Sequence, residues 1–405
     1  MSSPLLSADE AVERLLEQVC PVNGIEQCPL ADSLGRILAQ ALTAPHPIPP
    51  TDNSAMDGYA VRHDDFSTLE ATTLAISQRI AAGDTPSALI NNSAARIFTG
   101  ASVPDGADAV IPQEQSRKAN GLVTFDDKPE PGQHIRRAGE DIEKGAIFMH
   151  VGCRIQPQAM GLIGANGLAT IPVFRRLKIA LLSTGNELLM PGTPLQSGKR
   201  YNANHFTLIG LLQALDCEII DLGTIPDELS TTVEKLKSAA TSADLIISSG
   251  GVSVGEEDHV KAAIEQLGSL DIWKINIKPG KPLAYGNVHD TPFFGLPGNP
   301  VSLFVTFCLF ARPYILRMQG IEEVRPQTMK VHAQFIHTKK GTRQEYVRSR
   351  VTTTKHGSEV KTFGKQGSGV LSSTVWANSL TIIPPNCSIT PGDLVEVIPF
   401  SELIT

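Results

Sequence analysis

Between residues 178 and 317 the sequence alternates between short apolar runs and longer segments with helical periodicity. The apolar runs predict strands at 178–182, 218–222, 245–247, 271–275, 283–285 and 293–295. The helical segments are predicted at 204–215, 228–240, 258–266 and 300–317. Strands separated by helices form βαβ units. The stretch therefore predicts a mostly parallel α/β sheet that binds ligands at the carboxyl ends of its strands.

Polar loops rich in glycine, hydroxyl, acidic or lysine residues lie between the predicted strands and helices. These loops are 183–187, 223–227, 248–258, 274–281 and 295–299. Since the carboxyl ends of parallel strands lie on one edge of a sheet, we expect the five loops to meet at a common rim. Glycine backbone, hydroxyls and lysines suit an anion, and carboxylates suit a hard cation. The pattern indicates metal-assisted phosphate chemistry.

Two short patterns in these loops have to be compared with known catalytic motifs, the P-loop and the nucleophile elbow. Gly280-Lys281 does not form a P-loop, because Pro282 follows the lysine and the GxxxxGK[ST] spacing is absent. Residues 251–255 match GxSxG, the nucleophile elbow of serine hydrolases, with Ser253 at the centre. An elbow requires strand, turn and helix in direct succession, whereas the predicted strand ends about five residues before Ser253. This disfavours a serine hydrolase.

The regions on either side of the α/β stretch have other patterns. Residues 7–20 predict a helix with a capping box formed by Ser7 and Glu10, and residues 30–40 predict a second helix. The proline-rich segment 45–50 marks a domain boundary. Short strands are then predicted at 71–79, 95–98, 109–111 and 122–125. After about residue 320, alternating apolar residues predict a small all-β domain, whose glycine-rich loop 364–368 is another anion-binding candidate.

Composition limits the partners of the chain. Its 405 residues carry a formal net charge of −7, which argues against a nucleic-acid partner. The six cysteines are scattered without a CxxC pair, which is typical of a reducing compartment and predicts neither zinc nor disulfides. The N-terminus lacks a signal-peptide pattern, and the apolar stretch 301–316 is interrupted by Arg312 and Pro313. We expect a soluble cytoplasmic protein without a membrane partner.

Several longer strings match one known family, in order along the chain. They are DNSAMDGYAV (52–61), RIFTGASVPDGADAV (96–110), IRRAGED (135–141), STGNEL (183–188), SSGGVSVGEED (248–258), IKPGKP (277–282) and GLPGNPVS (295–302). Together they resemble the molybdopterin molybdenumtransferase family, the MoeA and gephyrin E-domain group. The resemblance covers essentially the whole chain, and the joint match is far more specific than any single string.

The resemblance implies a multidomain α/β and β fold. The implied domains are a discontinuous helix/ribbon domain (1–45 and 145–175), an inserted mixed α/β domain (46–144), a MogA-like three-layer α/β domain with a parallel sheet (176–325) and a C-terminal β-barrel-like domain (326–405). It also implies a homodimer in which the inserted domain of one subunit completes the active site of the other. Further implied partners are a MogA-like adenylyltransferase and molybdoenzyme maturation proteins, in transient contact.

The chemistry that the resemblance implies is Mg²⁺-dependent insertion of molybdate into adenylyl-molybdopterin, with release of AMP and molybdenum cofactor. The implied catalytic residues are Asp57, Thr99, Glu187, Asp227, Asp258, Lys274 and Lys278. The implied substrate-binding residues are Arg136, Ser248, Gly250, Gly251, Lys281, Pro297, Pro300, Ser302, Arg348 and Ser368. The implied Mg²⁺ ligands are Asp141, Glu187, Asp227 and Asp258. Arg348 and Ser368 are expected to bind molybdate.

The chain departs from the family pattern at a few positions. Asn186 stands where the family often has aspartate, so we expect Glu187 to supply the charge and Asn186 to be dispensable. Ala138 replaces an arginine, and Pro226 stands where a basic residue can occur. A non-catalytic, gephyrin-like scaffold on the same fold is the alternative, although the retained acids and lysines favour catalysis. Molybdate and tungstate both stay open as substrates, because both are tetrahedral dianions.

Overall fold

The computed structural model describes residues 5–17, 19–67, 70–250, 259–338, 341–355 and 357–404. The chain packs as two compact units. The first unit comprises Met1–Gln27, Gly35–Ala39 and Pro172–Thr405, and the second comprises Cys28–Leu34 and Gln40–Ile171. The boundaries of the four domains stay a prediction.

The helices range from single turns to a long core helix. They are α1 (Ala8–Leu16), α2 (Pro157–Ala165), α3 (Ala203–Ala214), α4 (Leu229–Ser242), α5 (His259–Leu267), α6 (Pro300–Thr306), α7 (Arg312–Met318) and α8 (Ser372–Trp376). The capping box predicted for α1 is confirmed: the Ser7 hydroxyl accepts a hydrogen bond from the Glu10 amide, and the Glu10 carboxylate accepts one from the Ser7 amide. A π-helical turn, Phe307–Ala311, joins α6 to α7.

The strands are distributed over both units and are numbered in chain order. They are β1 (Ile25–Pro29), β2 (Leu42–Thr43), β3 (Asn53–Ser54), β4 (Gly58–Val61), β5 (Thr72–Ile80), β6 (Ser93–Ile97), β7 (Ala109–Pro112), β8 (Ser116–Ala119), β9 (Leu122–Phe125), β10 (Ile135–Arg136), β11 (Ile147–Met149), β12 (Thr170–Phe174), β13 (Lys178–Thr184), β14 (Leu188–Leu189), β15 (Arg200–Tyr201), β16 (Glu218–Ile225), β17 (Leu245–Ser249), β18 (Gly268–Lys274), β19 (Ile277–Lys278), β20 (Pro282–Val288), β21 (Thr291–Leu296), β22 (Met329–Ala333), β23 (Gln344–Thr354), β24 (Gly357–Thr362), β25 (Ser379–Ile383) and β26 (Leu394–Pro399).

The α/β sheet of the first unit has the strand order β16-β13-β17-β21-β20-β18. The predicted strands and helices of this region are confirmed, with bounds that differ by a few residues. The sheet is less parallel than predicted, because β20 pairs antiparallel with both β21 and β18. The cause is a hairpin: Val288 pairs with Thr291 across a two-residue turn in which His289 has φ 51°.

This strand order places the predicted loops along one edge of the sheet. β16, β13, β17 and β21 are parallel and therefore end at the same edge. β20 begins at that edge because it runs in the opposite direction, and β18 ends there. The residues at this edge are Ile225, Thr184, Ser249, Leu296, Pro282 and Lys274. The common rim predicted from the sequence is confirmed for the described loops.

Apolar side chains cover both faces of this sheet. One face packs against α1, α3, α6 and α7, and the other packs against α4 and α5. Within the described part of the chain, residues 300–318 are the one helix long and apolar enough to cross a membrane, and 94% of its most apolar 18-residue stretch is buried inside the protein. It is the core helix of the first unit.

The C-terminal strands of the first unit form a closed barrel. The order is β23-β24-β22-β26-β25, and a pairing between β23 and β25 closes the circle. The short strand β19, which follows the α/β sheet in sequence, adds to β23 in parallel. The predicted β domain is confirmed. Through β19, the hydrogen-bonded backbone of the barrel is continuous with the rim of the α/β sheet.

The second unit contains a six-stranded mixed sheet with the order β7-β4-β6-β5-β9-β8. Buried apolar clusters lie on both of its faces. The strands predicted for 71–79, 95–98, 109–111 and 122–125 are confirmed, whereas β8 was not predicted. The ribbons β3–β10 and β2–β11 accompany the sheet.

The helix predicted for residues 30–40 is wrong. Only Leu30–Asp32 form a helical turn, of the 3₁₀ type. Gly35 then adopts φ 80°, a left-handed conformation that interrupts a helix. Leu38 pairs with Val173 in a β-bridge, so strand pairing prevails over the local helical periodicity.

Candidate functional site

A cleft of about 590 Å³ lies between the rim of the α/β sheet and the barrel. Its walls come from the ends of β17 and β21, the segment between β18 and β20, the first turn of α6 and two barrel loops. The lining residues are Gly250, Lys278, Pro279, Gly280, Lys281, Pro282, Pro297, Gly298, Asn299, Ser302, Arg343, Gln366, Gly367 and Ser368. Six of the predicted substrate-binding or catalytic residues line it: Gly250, Lys278, Lys281, Pro297, Ser302 and Ser368.

The cleft is basic. Three of its described lining residues are cations, Lys278, Lys281 and Arg343, and none of those lining residues is an acid. One carboxylate approaches from behind: Glu345 Oε2 lies 2.9 Å from Lys278 Nζ, and its side chain is 11% exposed. Cations in a partly enclosed cleft attract an anion more strongly than they would on an open surface.

Lys278 is held by the barrel through its backbone as well as its side chain. In the parallel pairing of β19 with β23, Ile277 lies opposite Gln344 and Lys278 lies opposite Glu345. Arg343 donates a hydrogen bond from Nη1 to the carbonyl of Ile277, at 3.2 Å. The position of the lysine is therefore fixed by a residue 67 positions further along the chain.

Two glycines allow the backbone to form the cleft wall. Gly280 has φ 99°, and a Cβ at this position would clash with the hydroxyl of Thr306 on the core helix. Gly250 has φ 85° and donates its amide hydrogen to the carbonyl of Leu296, at 3.0 Å. A side chain at Gly280 would need both a strained backbone and displacement of Thr306.

The end of β17 is organised by hydroxyl groups. Ser248 is fully buried and donates a hydrogen bond from Oγ to the carbonyl of Gly250, at 2.7 Å, so it shapes the turn and leaves Gly250 in the cleft wall. The predicted site residues Gly251 and Asp258, and Ser253 of the GxSxG pattern, lie outside the described residues.

The first turn of the core helix and a barrel loop meet at the cleft. The Val301 amide donates to the Ser368 carbonyl at 3.0 Å, which brings Ser302 and Ser368 to the same cavity. Pro300 occupies the first position of the helix, where its missing N–H costs no hydrogen bond. The predicted Pro300 thus shapes the wall without being one of the residues that line it.

Arg348 lies beneath the barrel loop and not in the cleft wall. Its side chain is 1% exposed and donates from Nε to Ser373 Oγ at 3.0 Å and from Nη2 to the Gly367 carbonyl at 3.2 Å. Burial lowers the pKa of its guanidinium to about 10. These contacts support the loop that carries Gly367 and Ser368, and the role of Arg348 as a molybdate ligand stays a prediction.

The predicted carboxylates Glu187 and Asp227 lie further along the rim, after the neighbouring strands β13 and β16. The Asn186 amide donates to Asp227 Oδ2 at 3.1 Å, and the Asp227 amide donates to Asn186 Oδ1 at 3.4 Å. Asn186, which we expected to be dispensable, thus joins the two carboxylate-bearing loops. Lys274, at the end of β18, is exposed at the opposite end of the same rim.

The described residues partly fit the implied Mg²⁺ ion. In the described ranges, which exclude Asp258, three or more metal-ligating side chains do not cluster. Glu187 and Asp227 nevertheless offer carboxylate oxygens at adjacent strand ends, and Mg²⁺ is commonly held by one or two carboxylates together with substrate phosphates. Their donor chemistry therefore suits an ion that arrives with a phosphorylated substrate.

The remaining predicted residues lie in the second unit. Asp57 Oδ1 accepts hydrogen bonds from the amide and the hydroxyl of Thr99, both at 2.8 Å, and these bonds lower the pKa of Asp57. Arg136, on β10, and Asp141 are exposed. Of the predicted residues in the second unit, Asp57 and Thr99 are therefore in direct hydrogen-bond contact.

Arg343 and Gln366 line the cleft but were not predicted as site residues. The basic run at 339–343 and the glycine-rich loop at 364–368 were the available signals. Neither signal identifies the residue that faces the cleft, because this depends on the pairing of β19 with β23 and on the fold of the barrel.

The fold and the cleft define a multidomain protein with a basic cleft at the rim of an α/β sheet. The chain matches the MoeA N-terminal region (domain I and II) over residues 6–167, a probable molybdopterin binding domain over 180–317 and the MoeA C-terminal region (domain IV) over 330–400. It is 39% identical to the molybdopterin molybdenumtransferase of Haemophilus influenzae, over 99% of this chain and 100% of that protein. It is 35% identical to molybdopterin molybdenumtransferase 2 of Mycobacterium tuberculosis, over 93% of each chain.

Solved structures agree with these matches. A crystal structure of the molybdopterin biosynthesis MoeA protein from Pyrococcus horikoshii has a TM-score of 0.85 at 28% identity, covering 98% of this chain and 100% of that one. The chain belongs to the MoeA family of molybdenum cofactor biosynthesis transferases.

Proposed function

We propose that this protein is a molybdopterin molybdenumtransferase that inserts molybdate into adenylyl-molybdopterin in a Mg²⁺-dependent reaction and releases AMP and molybdenum cofactor. The observation that carries the proposal is the cleft whose described walls present Lys278, Lys281 and Arg343 and no acid. A tetrahedral dianion loses part of its hydrating water when it binds in a cleft. Cations and hydroxyl donors must therefore compensate its charge and satisfy its oxygens.

In this proposal the cleft binds molybdate. Lys278 and Lys281 act as point charges, and Arg343 adds a planar donor group. The hydroxyls of Ser302 and Ser368 donate to the remaining oxygens, and Gly250 and Pro297 form the wall next to the pterin. Arg348 holds the loop that carries Ser368, through its bonds to Ser373 and Gly367.

The carboxylate end of the rim binds the phosphate linkage of the nucleotide. Glu187, Asp227 and Asp258 would hold Mg²⁺, with Asp141 as a further ligand. When bound, the ion neutralises phosphate charge and favours the departure of AMP. Lys274 binds the phosphates from the other end of the rim, and Asn186 keeps the Glu187 and Asp227 loops together.

A homodimer completes the site in this proposal. The second unit of the partner subunit would supply Asp57, Thr99, Arg136 and Asp141, so that each active site contains residues from two copies. A MogA-like adenylyltransferase would deliver the adenylylated substrate, and molybdoenzyme maturation proteins would receive the product. These steps take place in the cytoplasm.

The test is release of AMP from adenylyl-molybdopterin by the purified chain, with Mg²⁺ and molybdate varied. We expect AMP release to require both, and Lys281→Ala and Arg343→Ala to raise the KM for molybdate. Lys178→Ala is the control, because Lys178 lies at the opposite edge of the sheet and pairs with Glu218. Lys278→Ala is less informative, since it would leave Glu345 buried without its partner.

The alternative, a gephyrin-like scaffold, predicts a different result. Absence of AMP release at every molybdate and Mg²⁺ concentration, together with binding of peptides by the same preparation, would replace the enzyme with a binding protein.

A further inference from the structure

Glu345 is a buried carboxylate directly behind the basic cleft. It lies on β23, with its side chain 11% exposed, and its Oε2 is 2.9 Å from Lys278 Nζ. Its other oxygen, Oε1, faces the backbone of Gly341, where an added Cβ would lie 3.1 Å away. Burying a carboxylate is costly unless a cation compensates for it. Lys278 is that cation, so the lysine already has a partner before any substrate enters.

This ion pair changes the charge that the cleft offers to a ligand. Three cations line the described walls, and one carboxylate contacts one of them, which leaves two net positive charges. Without Glu345, the same walls would carry three positive charges and would favour more highly charged anions.

We propose that Glu345 is a specificity-determining residue, which acts through Lys278 to lower the positive charge of the cleft and so limits how strongly the cleft prefers a tetrahedral dianion to a monoanion. The inference rests on the proposed function, because it takes the cleft as the molybdate site. Glu345 does not contact the oxyanion in this proposal. It holds Lys278 by its side chain, while the pairing of β19 with β23 holds the backbone of the same residue.

The test compares two tetrahedral oxyanions of the same shape and different charge. Molybdate carries two negative charges and perrhenate carries one. The variant is Glu345→Gln, which keeps an oxygen acceptor for Lys278 and removes the charge. Because Coulomb energy is proportional to ligand charge, a gain of roughly 3- to 10-fold in perrhenate affinity should accompany a gain of roughly 10- to 100-fold for molybdate. Calorimetry with each anion alone gives both dissociation constants.

Two further variants separate this effect from general changes. Glu218→Gln also removes one carboxylate from an ion pair of the first unit, at the opposite edge of the sheet, and should change neither affinity. In the double variant Glu345→Gln/Arg343→Gln, the described walls carry the same net charge as in the unmodified protein, so the ratio of the two affinities should return towards that of the unmodified protein. Damage to the fold would weaken the binding of both anions. A higher affinity for molybdate therefore cannot result from such damage.

The outcomes distinguish the inference from the function on which it rests. Suppose that the unmodified protein binds molybdate and releases AMP, but that Glu345→Gln leaves the ratio of the molybdate and perrhenate affinities unchanged or weakens the binding of both anions. The inference is then overturned and the proposed function stands. If the unmodified protein neither binds molybdate nor releases AMP, the proposed function itself fails.

Discussion

Arg348 and Gln366 hold each other through two hydrogen bonds. The Arg348 amide donates to Gln366 Oε1 at 3.1 Å, and Gln366 Nε2 donates to the Arg348 carbonyl at 2.9 Å. Gln366 also lines the cleft, so the barrel strand β23 and the cleft wall are joined by one side chain. The barrel therefore contributes directly to the wall of the cleft.

Replacing Arg348 should destabilise the barrel loop that forms part of the cleft wall. Arg348→Ala removes the donors to Ser373 and Gly367, and we expect it to lower the free energy of unfolding by about 2–4 kcal/mol. The KM for molybdate should rise, since the loop that carries Ser368 loses its support. Arg350→Ala is a matched control, because Arg350 is exposed on the same strand. Urea unfolding and AMP-release kinetics measure both effects; equal losses in the two variants would contradict the prediction.

The bond between Asp57 and Thr99 makes a prediction about pH. The Thr99 amide, and secondly its hydroxyl, lower the pKa of Asp57 below its ordinary value of 3.8. A lowered pKa means that the contact stabilises the folded state above the unfolded-state pKa, and that this stabilisation is lost as the pH falls through the folded-state pKa. Thr99→Val removes only the hydroxyl bond, so the pKa of Asp57 should rise part of the way to its ordinary value. Carboxyl-detected NMR titration measures it.

Asp126 is an internal control in the same titration. Arg117 lowers the pKa of Asp126 through a side-chain hydrogen bond, independently of Thr99. Its titration should be identical in Thr99→Val and in the unmodified protein. A shift of both carboxyls would indicate a general change of the unit.

The sequence predicts the rim much better than it predicts the contacts behind it. Apolar runs and polar loops are local signals, and they placed Lys278 and Lys281 on the correct edge of the sheet. The helix predicted for residues 30–40 failed because Leu38 pairs with Val173, which is distant in sequence. Arg343 was missed for the same reason, since its position depends on the pairing of β19 with β23. Burial of a charged residue such as Arg348 is likewise absent from any local pattern.

Gly280 is a site where a single methyl group should abolish the cleft geometry. Gly280→Ala imposes φ 99° on a residue with a Cβ and drives that Cβ into the Thr306 hydroxyl. We expect a loss of about 2–4 kcal/mol in the free energy of unfolding and a large loss of molybdate affinity. Gly298→Ala is the control for stability, because Gly298 lines the same cleft and a Cβ there meets nothing within 4 Å. If both variants unfold at the same urea concentration, the steric argument is wrong.

Asn186 offers a test of the carboxylate end of the rim. Asn186→Asp retains an oxygen that can accept the Asp227 amide and adds a negative charge between Glu187 and Asp227. If these carboxylates hold Mg²⁺, the added charge should lower the Mg²⁺ concentration for half-maximal AMP release by roughly 3- to 10-fold. Asn186→Ala, which removes the acceptor, should raise it. Asn287→Asp adds the same charge at the end of β20, on the opposite edge of the sheet, and should leave the Mg²⁺ requirement unchanged. A Mg²⁺ requirement that is the same in all three variants would place the ion away from Glu187 and Asp227.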